Sequence, residues 1–438
     1  MRKTTISEFR EAVYQKVSIR PAAILDLVDA LTIAGHVSSP VALSESALFR
    51  RKFSSVYDAL VHGEIDEDLK QVFSSSQESG WQIIAGYEIH AIDATPNERM
   101  AAETLEDRGA LKAQQKEPVR YGHKYSWLVR LVQSGTSWVA PEDVERICTA
   151  STDTKVAAQQ VKELAARNPC RKVITADSRY RDQHFLSAFA GLENTYALVR
   201  LQNNQKLSQE PEPKLEGSRG APRKHGADFQ LTSIERPVDA SEEFFLGQQQ
   251  VRVRVWHQLH FKRLAQLKGA VVCIEFLKAD GTPRYKRPIW LFWTGSEEVT
   301  PQDLCRMYLW RFAIEHFFRF LKQHLGLSSH RSANLDSLKR WMWIVSLAYW
   351  QLLLMRDTVQ PNRPAWHPRK KDGQEKPLTP AQVQRTAQPF LLQSGTPAAN
   401  PRPAGKGRGR PKGYRPAPRE RFEVVLKSKK PKCQPKIC

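Results

Sequence analysis

Residues 301–326, reading Pro-Gln-Asp-Leu-Cys-Arg-Met-Tyr-Leu-Trp-Arg-Phe-Ala-Ile-Glu-His-Phe-Phe-Arg-Phe-Leu-Lys-Gln-His-Leu-Gly, constrain this chain more than any other stretch. Thr300 can cap a helix, Pro301 suits its first position, Asp303 falls in its first turn and Gly326 ends it. At about 100° per residue, Tyr308, Arg311, Glu315 and Lys322 fall within an arc of roughly 60°. Ile314, Phe317 and Leu321 take the far side, and Phe312 and Phe318 flank the stripe. A solvated stripe of ion pairs would look like this. So would a single working carboxylate, Glu315, with a cation four residues before it and another seven after.

Two aspartates upstream bear on that choice. Residues 81–93 are strand-like and end in Asp93; 118–132 and 135–141 continue as strands. Residues 154–168 have helical periodicity, through Val156, Val161, Leu164 and Ala165. They lead to the short apolar strand 171–177, ending in Asp177. A helix over 181–191 and a strand over 196–201 follow. Three strands, a helix, a fourth strand, a helix and a fifth strand predict a mixed α/β sheet with helices. Over 202–284 that order breaks: a polar, Pro- and Gly-rich run is followed by strands at 250–257 and 270–277, and Ala279-Asp-Gly-Thr282 marks a hairpin turn.

The spacing Tyr308-x2-Arg311-x3-Glu315-x6-Lys322 resembles the Y-R-E-K pattern of bacterial insertion-sequence DDE transposases. The resemblance spans roughly 81–357 and implies a ribonuclease-H-like catalytic domain interrupted by a β-rich insertion. It implies that Asp93, Asp177 and Glu315 bind two Mg²⁺ or Mn²⁺ ions, and that Tyr308, Arg311 and Lys322 lie along the DNA backbone. The implied reaction is hydrolysis at transposon ends followed by attack of the freed 3′-hydroxyl on target DNA. Double-stranded DNA is the implied partner, with a homodimer or larger complex on paired ends. The chemistry suits the residues, because hard oxygen ligands favour Mg²⁺ or Mn²⁺ for phosphoryl transfer. A ribonuclease-H-like nuclease that cuts without joining, and a catalytically inactive DNA-binding descendant, are the alternatives.

Each residue also has a plainer reading. Asp93 precedes Ala-Thr-Pro and can serve a turn; Asp177 can cap the next helix. Asp182, Glu98 and Glu88 are other carboxylates within reach of the same elements, whereas His90 and His123 read as packing histidines. Arg252, Arg254 and Trp256 alternate with Val251, Val253 and Val255, so one strand face is basic and aromatic. That face suits phosphate contact and base stacking, or is an exposed charged face of a sheet. Arg408-Gly-Arg410-Pro-Lys412 is similar to a minor-groove hook, or is a solvated basic linker.

Charge gives these DNA readings a context. The formal net charge is +21, and residues 361–438 hold 19 Lys/Arg against 4 Asp/Glu, a net of 19 − 4 = +15. A polyanion is the expected partner. The same stretch contains 14 of the 27 prolines, so 359–438 is expected to be a disordered Pro-rich basic tail. Residues 1–80 read as a helical module, with helices at 6–17, 21–34, 44–62 and 65–74, that either recognises DNA ends or caps the core. Residues 81–201 and 285–358 then form the catalytic domain around the insertion, with a bracing helix at 332–357. Six scattered cysteines lack any C-x-x-C pairing, which argues against zinc and disulfide frameworks. The N-terminus lacks the apolar run of a signal peptide, and the longest apolar run, 341–355, is too short to cross a bilayer. A bacterial cytoplasmic protein working at the nucleoid is expected.

Overall fold

The computed structural model describes residues 4–76, 81–111, 118–133, 135–213, 221, 223–360, 377–403, 409 and 411–426. Its centre is a mixed sheet built from β1 (Tyr87–Glu98), β2 (Arg120–Leu131), β3 (Val139–Ile147), β4 (Lys172–Ala176) and β5 (Thr195–Arg200). Their spatial order is 3-2-1-4-5: β1 pairs antiparallel with β2 and parallel with β4, and β4 pairs parallel with β5. Helix α5 (Asp153–Arg167) crosses from β3 to β4, and a chain of short turns including α6 (Gln183–Leu186) crosses from β4 to β5. This is a ribonuclease-H-like α/β arrangement, in the element order the hydrophobic periodicity predicts.

The segment after β5 does not form a separate layer. Strands β6 (Ala240–Leu246), β7 (Gln249–Phe261), β8 (Leu264–Phe276) and β9 (Ile289–Trp293) extend the same sheet, β9 pairing antiparallel with β5 and β8, and β7 lying between β6 and β8. Among the described residues the sheet has 13 strands.

Both faces of this sheet are covered. Ile89, Ala91, Val173, Leu198, Val251, Val253 and Val255 belong to one core, and Ile92, Ile174, Ala176, Val199, Trp256 and Val271 to the other. The second core is closed by α5 and the 178–189 turns. The first is closed by α7 (Pro301–Trp310), α8 (Ala313–Gln323) and α9 (Leu335–Met355). Trp341–Met355 of α9 is buried along its whole length, so its apolar run is spent inside the protein. No helix among the described residues is long and apolar enough to cross a membrane.

The N-terminal helices α1 (Ile6–Gln15), α2 (Pro21–Ile33), α3 (Ser54–His62) and α4 (Leu69–Ser75) share that first core and pack on α9. The helix expected over 44–62 is only its second half; Pro40–Glu45 is a 3-10 turn instead, begun by Pro40. Arg10 pairs with Asp29 inside this region, and Gln351 of α9 donates to the same carboxylate at 2.9 Å.

The tail departs from the expectation of disorder across 359–438. Residues Pro380–Ser394 form a helix, α10, with a capping box between Thr379 and Gln382. Val383, Ala387 and Leu391, at four-residue spacing, are buried against α2 and α9. Arg50 then holds Asp26 at 2.8 Å and the Ala398 carbonyl at 2.9 Å. Farther on, the Phe422 and Val425 N–H groups donate to the carbonyls of Glu103 and Arg108. Average composition hid a local amphipathic stripe with its own cap.

Candidate active site

Sheet register builds the site. Ile92 of β1 stands opposite Ala176 of β4, and Ala176 opposite Val199 of β5. One residue on, Asp93, Asp177 and Arg200 therefore form a row across three neighbouring parallel strands, which lie about 4.8 Å apart. Alternation puts Asp93 on the side of Ile89 and Ala91, and Asp177 on the side of Val173. That is the face covered by α7 and α8.

Each aspartate spends one oxygen locally. Asp93 Oδ1 accepts from the Ala94 N–H at 2.7 Å, and Asp177 Oδ1 accepts from the Arg179 N–H at 2.8 Å, capping the turn Ser178–Arg181. The capping role of Asp177 thus coexists with a free oxygen. No ion pair reaches either carboxylate among the described residues, because Arg179 turns to Asp153 at 2.8 Å. Burial and the neighbouring Asp177 push the Asp93 carboxyl up to about 6. Two carboxylates side by side, Asp93 desolvated and neither held by an ion pair among the described residues, fit a divalent cation.

Glu315 enters from a broken helix. The stretch 301–326 is two helices, not one: α7 stops at Trp310 and α8 starts at Ala313. Across the break the backbone tightens to i→i+3 bonds, Ile314 N–H to Arg311 O and Glu315 N–H to Phe312 O, both 3.1 Å. Glu315 sits in the first turn of α8 with its side chain 43% exposed, and Arg311 Nη2 donates to its Oε1 at 3.3 Å. Arg311 is itself largely buried, 5.7 Å over the Tyr308 ring. Its charge acts on Asp93 as well as on Glu315. Among the described residues, no three His, Cys, Asp or Glu side chains are grouped to hold one ion. The fold brings Asp93 and Asp177 together, and Arg311 bears on both Glu315, by contact, and Asp93, by charge.

The other carboxylates are occupied. Asp182 caps α6 and accepts from Thr154 at 2.8 Å, Glu98 pairs with Arg120 at 2.8 Å, and Glu88 with Arg130 at 2.7 Å. His123 meets the Glu106 carbonyl at 2.8 Å and His90 is fully buried.

Of the DNA-contact expectations, Trp256 is corrected. It lies inside the second core with its ring against Phe229 and Trp290 and its N–H donated to the Arg236 carbonyl, so it cannot stack on a base. Arg252 and Arg254 are held by Glu243 at 2.6 Å and Glu275 at 3.0 Å. Alternation reports two faces, and a second packed layer looks the same in sequence as solvent. Tyr308 is 5% exposed, a platform beneath Arg311 rather than a surface contact. Lys322 is exposed, without an ion pair among the described residues. Lys412 is exposed, while Arg408 and Arg410 lie outside the described residues.

Sequence reasoning missed Arg200 and the cleft beside it. That cleft, of roughly 790 Å³, is lined by Ser178, Arg200, Asn203, Asn204, Thr232 and Arg287 among others. It opens next to Asp177 through Ser178, and neither arginine has an ion pair among the described residues. Only strand register, which sequence does not display, links Arg200 to the aspartates.

A family model described as a transposase DDE domain matches residues 91–351, more than half of the chain. The chain belongs to the transposase DDE-domain family. The matched span runs from β1 to α9, so this DDE domain contains Asp93, Asp177, the inserted strands and the Glu315 helix in one unit. No curated protein sequence matches the chain.

Proposed function

We propose that this DDE domain cleaves DNA at the ends of a mobile element and joins the freed 3′-hydroxyl to target DNA, using Asp93, Asp177 and Glu315 with divalent cations. The observation that carries the reading is the Asp93–Asp177 pair: Asp93 inside β1 and Asp177 just past the end of β4, each one residue beyond the last parallel pairing of the two strands and within the family's own span. Asp93 and Asp177 would hold the cations, and Glu315 would complete the set. Bound Mg²⁺ or Mn²⁺, two per site, would activate the attacking hydroxyl and stabilise the leaving oxygen.

The chain's own residues bind and orient the strand. Arg311, with a buried Nε that has no hydrogen-bond partner among the described residues, is a guanidinium poised for a phosphate. Lys322 adds a second cation on the same helix pair. Arg200 and Arg287 extend the positive track away from Asp177 into the cleft, where Asn203 and Asn204 offer amides to sugars or base edges. Lys412 and the tail around it would add a salt-sensitive hold on duplex DNA. A homodimer or larger assembly on paired ends, in the bacterial cytoplasm at the nucleoid, completes the reading.

A strand-transfer assay separates this from a nuclease. Purified protein, a linear duplex bearing the element's ends and a supercoiled target are incubated with Mg²⁺. Joined donor–target products are expected. Cut ends with no joined product would assign the domain to hydrolysis alone, and uncut DNA would favour the inactive DNA-binding descendant.

A further inference from the structure

Among the described residues the three carboxylates that the proposed function needs are not grouped, and one side chain stands against Glu315. Arg311 stands at the break between α7 and α8, donating to Glu315 while its charge also faces Asp93. Tyr308 lies under its guanidinium, and its Nε is buried without a hydrogen-bond partner among the described residues. Glu315, by contrast, is nearly half exposed and, among the described residues, held only by that contact at 3.3 Å. An i,i+4 pair with so open a partner is weak and easily exchanged. A DNA phosphate, able to take a guanidinium through two parallel bonds, is the stronger ligand for the same group.

We propose that Arg311 is a positioning residue that holds Glu315 off the aspartate pair in the DNA-free protein, and that a substrate phosphate, by taking the guanidinium, releases Glu315 to complete the metal site. The inference rests on the reading of Asp93, Asp177 and Glu315 as metal ligands, and adds to it an order of assembly. DNA comes first, the third carboxylate second. Strong metal binding, and with it cutting, is thereby withheld until a strand lies in place. The break at Arg311–Phe312 matters because it lets the first turn of α8 reorient without unwinding α7.

Mn²⁺ binding followed by the free-ion EPR signal tests this without any turnover. In DNA-free protein, Glu315→Gln should leave Mn²⁺ affinity unchanged, since Glu315 is not yet a ligand. Arg311→Gln should tighten it by about tenfold, and the double variant should lose that gain. With a mixed-sequence 20-bp duplex added, wild-type affinity should rise and become sensitive to Glu315→Gln. A DNA-free wild type already weakened about tenfold by Glu315→Gln would overturn the latch. So would a gain that persists in the double variant, because removing a nearby positive charge would then explain it. Glu315→Gln alters an exposed side chain, so its isotherm decides the matter even if Arg311→Gln fails to fold. If wild type takes up no Mn²⁺ with or without duplex, the metal-site reading itself falls, and the latch with it.

Discussion

His330 and Arg10 show how much single polar groups are constrained in this interior. His330 is buried, shares a hydrogen bond of 2.8 Å with Ser337 and lies against Trp341. Burial holds its imidazole down to about 4, against 6.5 in an unfolded chain. The folded state therefore keeps it neutral. Its stabilising contribution is full above pH 6.5 and is lost as pH falls from there through about 4, up to about 3 kcal/mol. Urea midpoints measured across that window should fall more steeply for wild type than for His330→Gln. Parallel slopes would contradict the assignment. Arg10 and Asp29 form a buried pair, and burial raises the Asp29 carboxyl even with Arg10 beside it. Arg10→Ala should cost about 3–5 kcal/mol, because it strands that carboxylate in the core. A loss under about 1 kcal/mol in a denaturant titration, the scale of a surface pair, would mean that Asp29 finds another partner. At this scale the sequence was legible for Asp177, which follows the apolar strand β4; Asp93, read as the last residue of its strand, lies inside β1, which antiparallel pairing with β2 carries on to Glu98. The sequence was not legible for Arg252, Arg254 or Trp256, whose partners Glu243, Glu275, Phe229 and Trp290 come from other strands.

Among elements, two helices carry the lesson. The Glu315 helix had the right cap and the right stripe, the Thr300 side-chain oxygen accepting from the Asp303 N–H. What periodicity could not reveal was the break at Arg311–Phe312. No proline or glycine marks it, and its backbone stays in the right-handed helical region. Helix α10 is the opposite case. Thr379-Pro380-Ala-Gln382 is a capping box with proline at the first position, a signal present in the sequence and outvoted by the composition around it. Ending the chain at 376 removes this helix and uncovers the surface beneath Val383 and Leu391 on α2 and α9. Roughly 4 kcal/mol of stability should go with it, read as a lowered urea midpoint. A midpoint unchanged by that truncation would show that α10 rests on the core without supporting it.

Across the whole molecule, the N-terminal helices, α9 and α10 form one body that closes the face of the sheet bearing the site. The helical module is thus a structural cap as well as any DNA contact it makes. A chain ending at 403 keeps α10 and loses most of the tail's positive charge. It should stay folded, while binding duplex DNA more weakly and with a flatter salt dependence. An unchanged salt slope would remove the tail from the DNA contact. The ribonuclease-H-like order was readable because period-2 and period-3.6 segments alternate cleanly over 81–201. The continuous 13-strand sheet was not, since pairing of β9 with β5 joins residues about ninety positions apart.

The measurement that bears most directly on the central claim is metal-dependent cleavage of a duplex carrying the element's end, by wild type, Asp177→Asn and Glu315→Gln. DNA retention and thermal unfolding are followed on the same samples. Both variants should stay folded and keep binding DNA while losing cleavage by at least ~10³-fold, the scale on which a principal catalytic group is missed. Cleavage by either variant within about tenfold of wild type, a barrier change of only about 1.4 kcal/mol, would contradict the assignment of that carboxylate to the site.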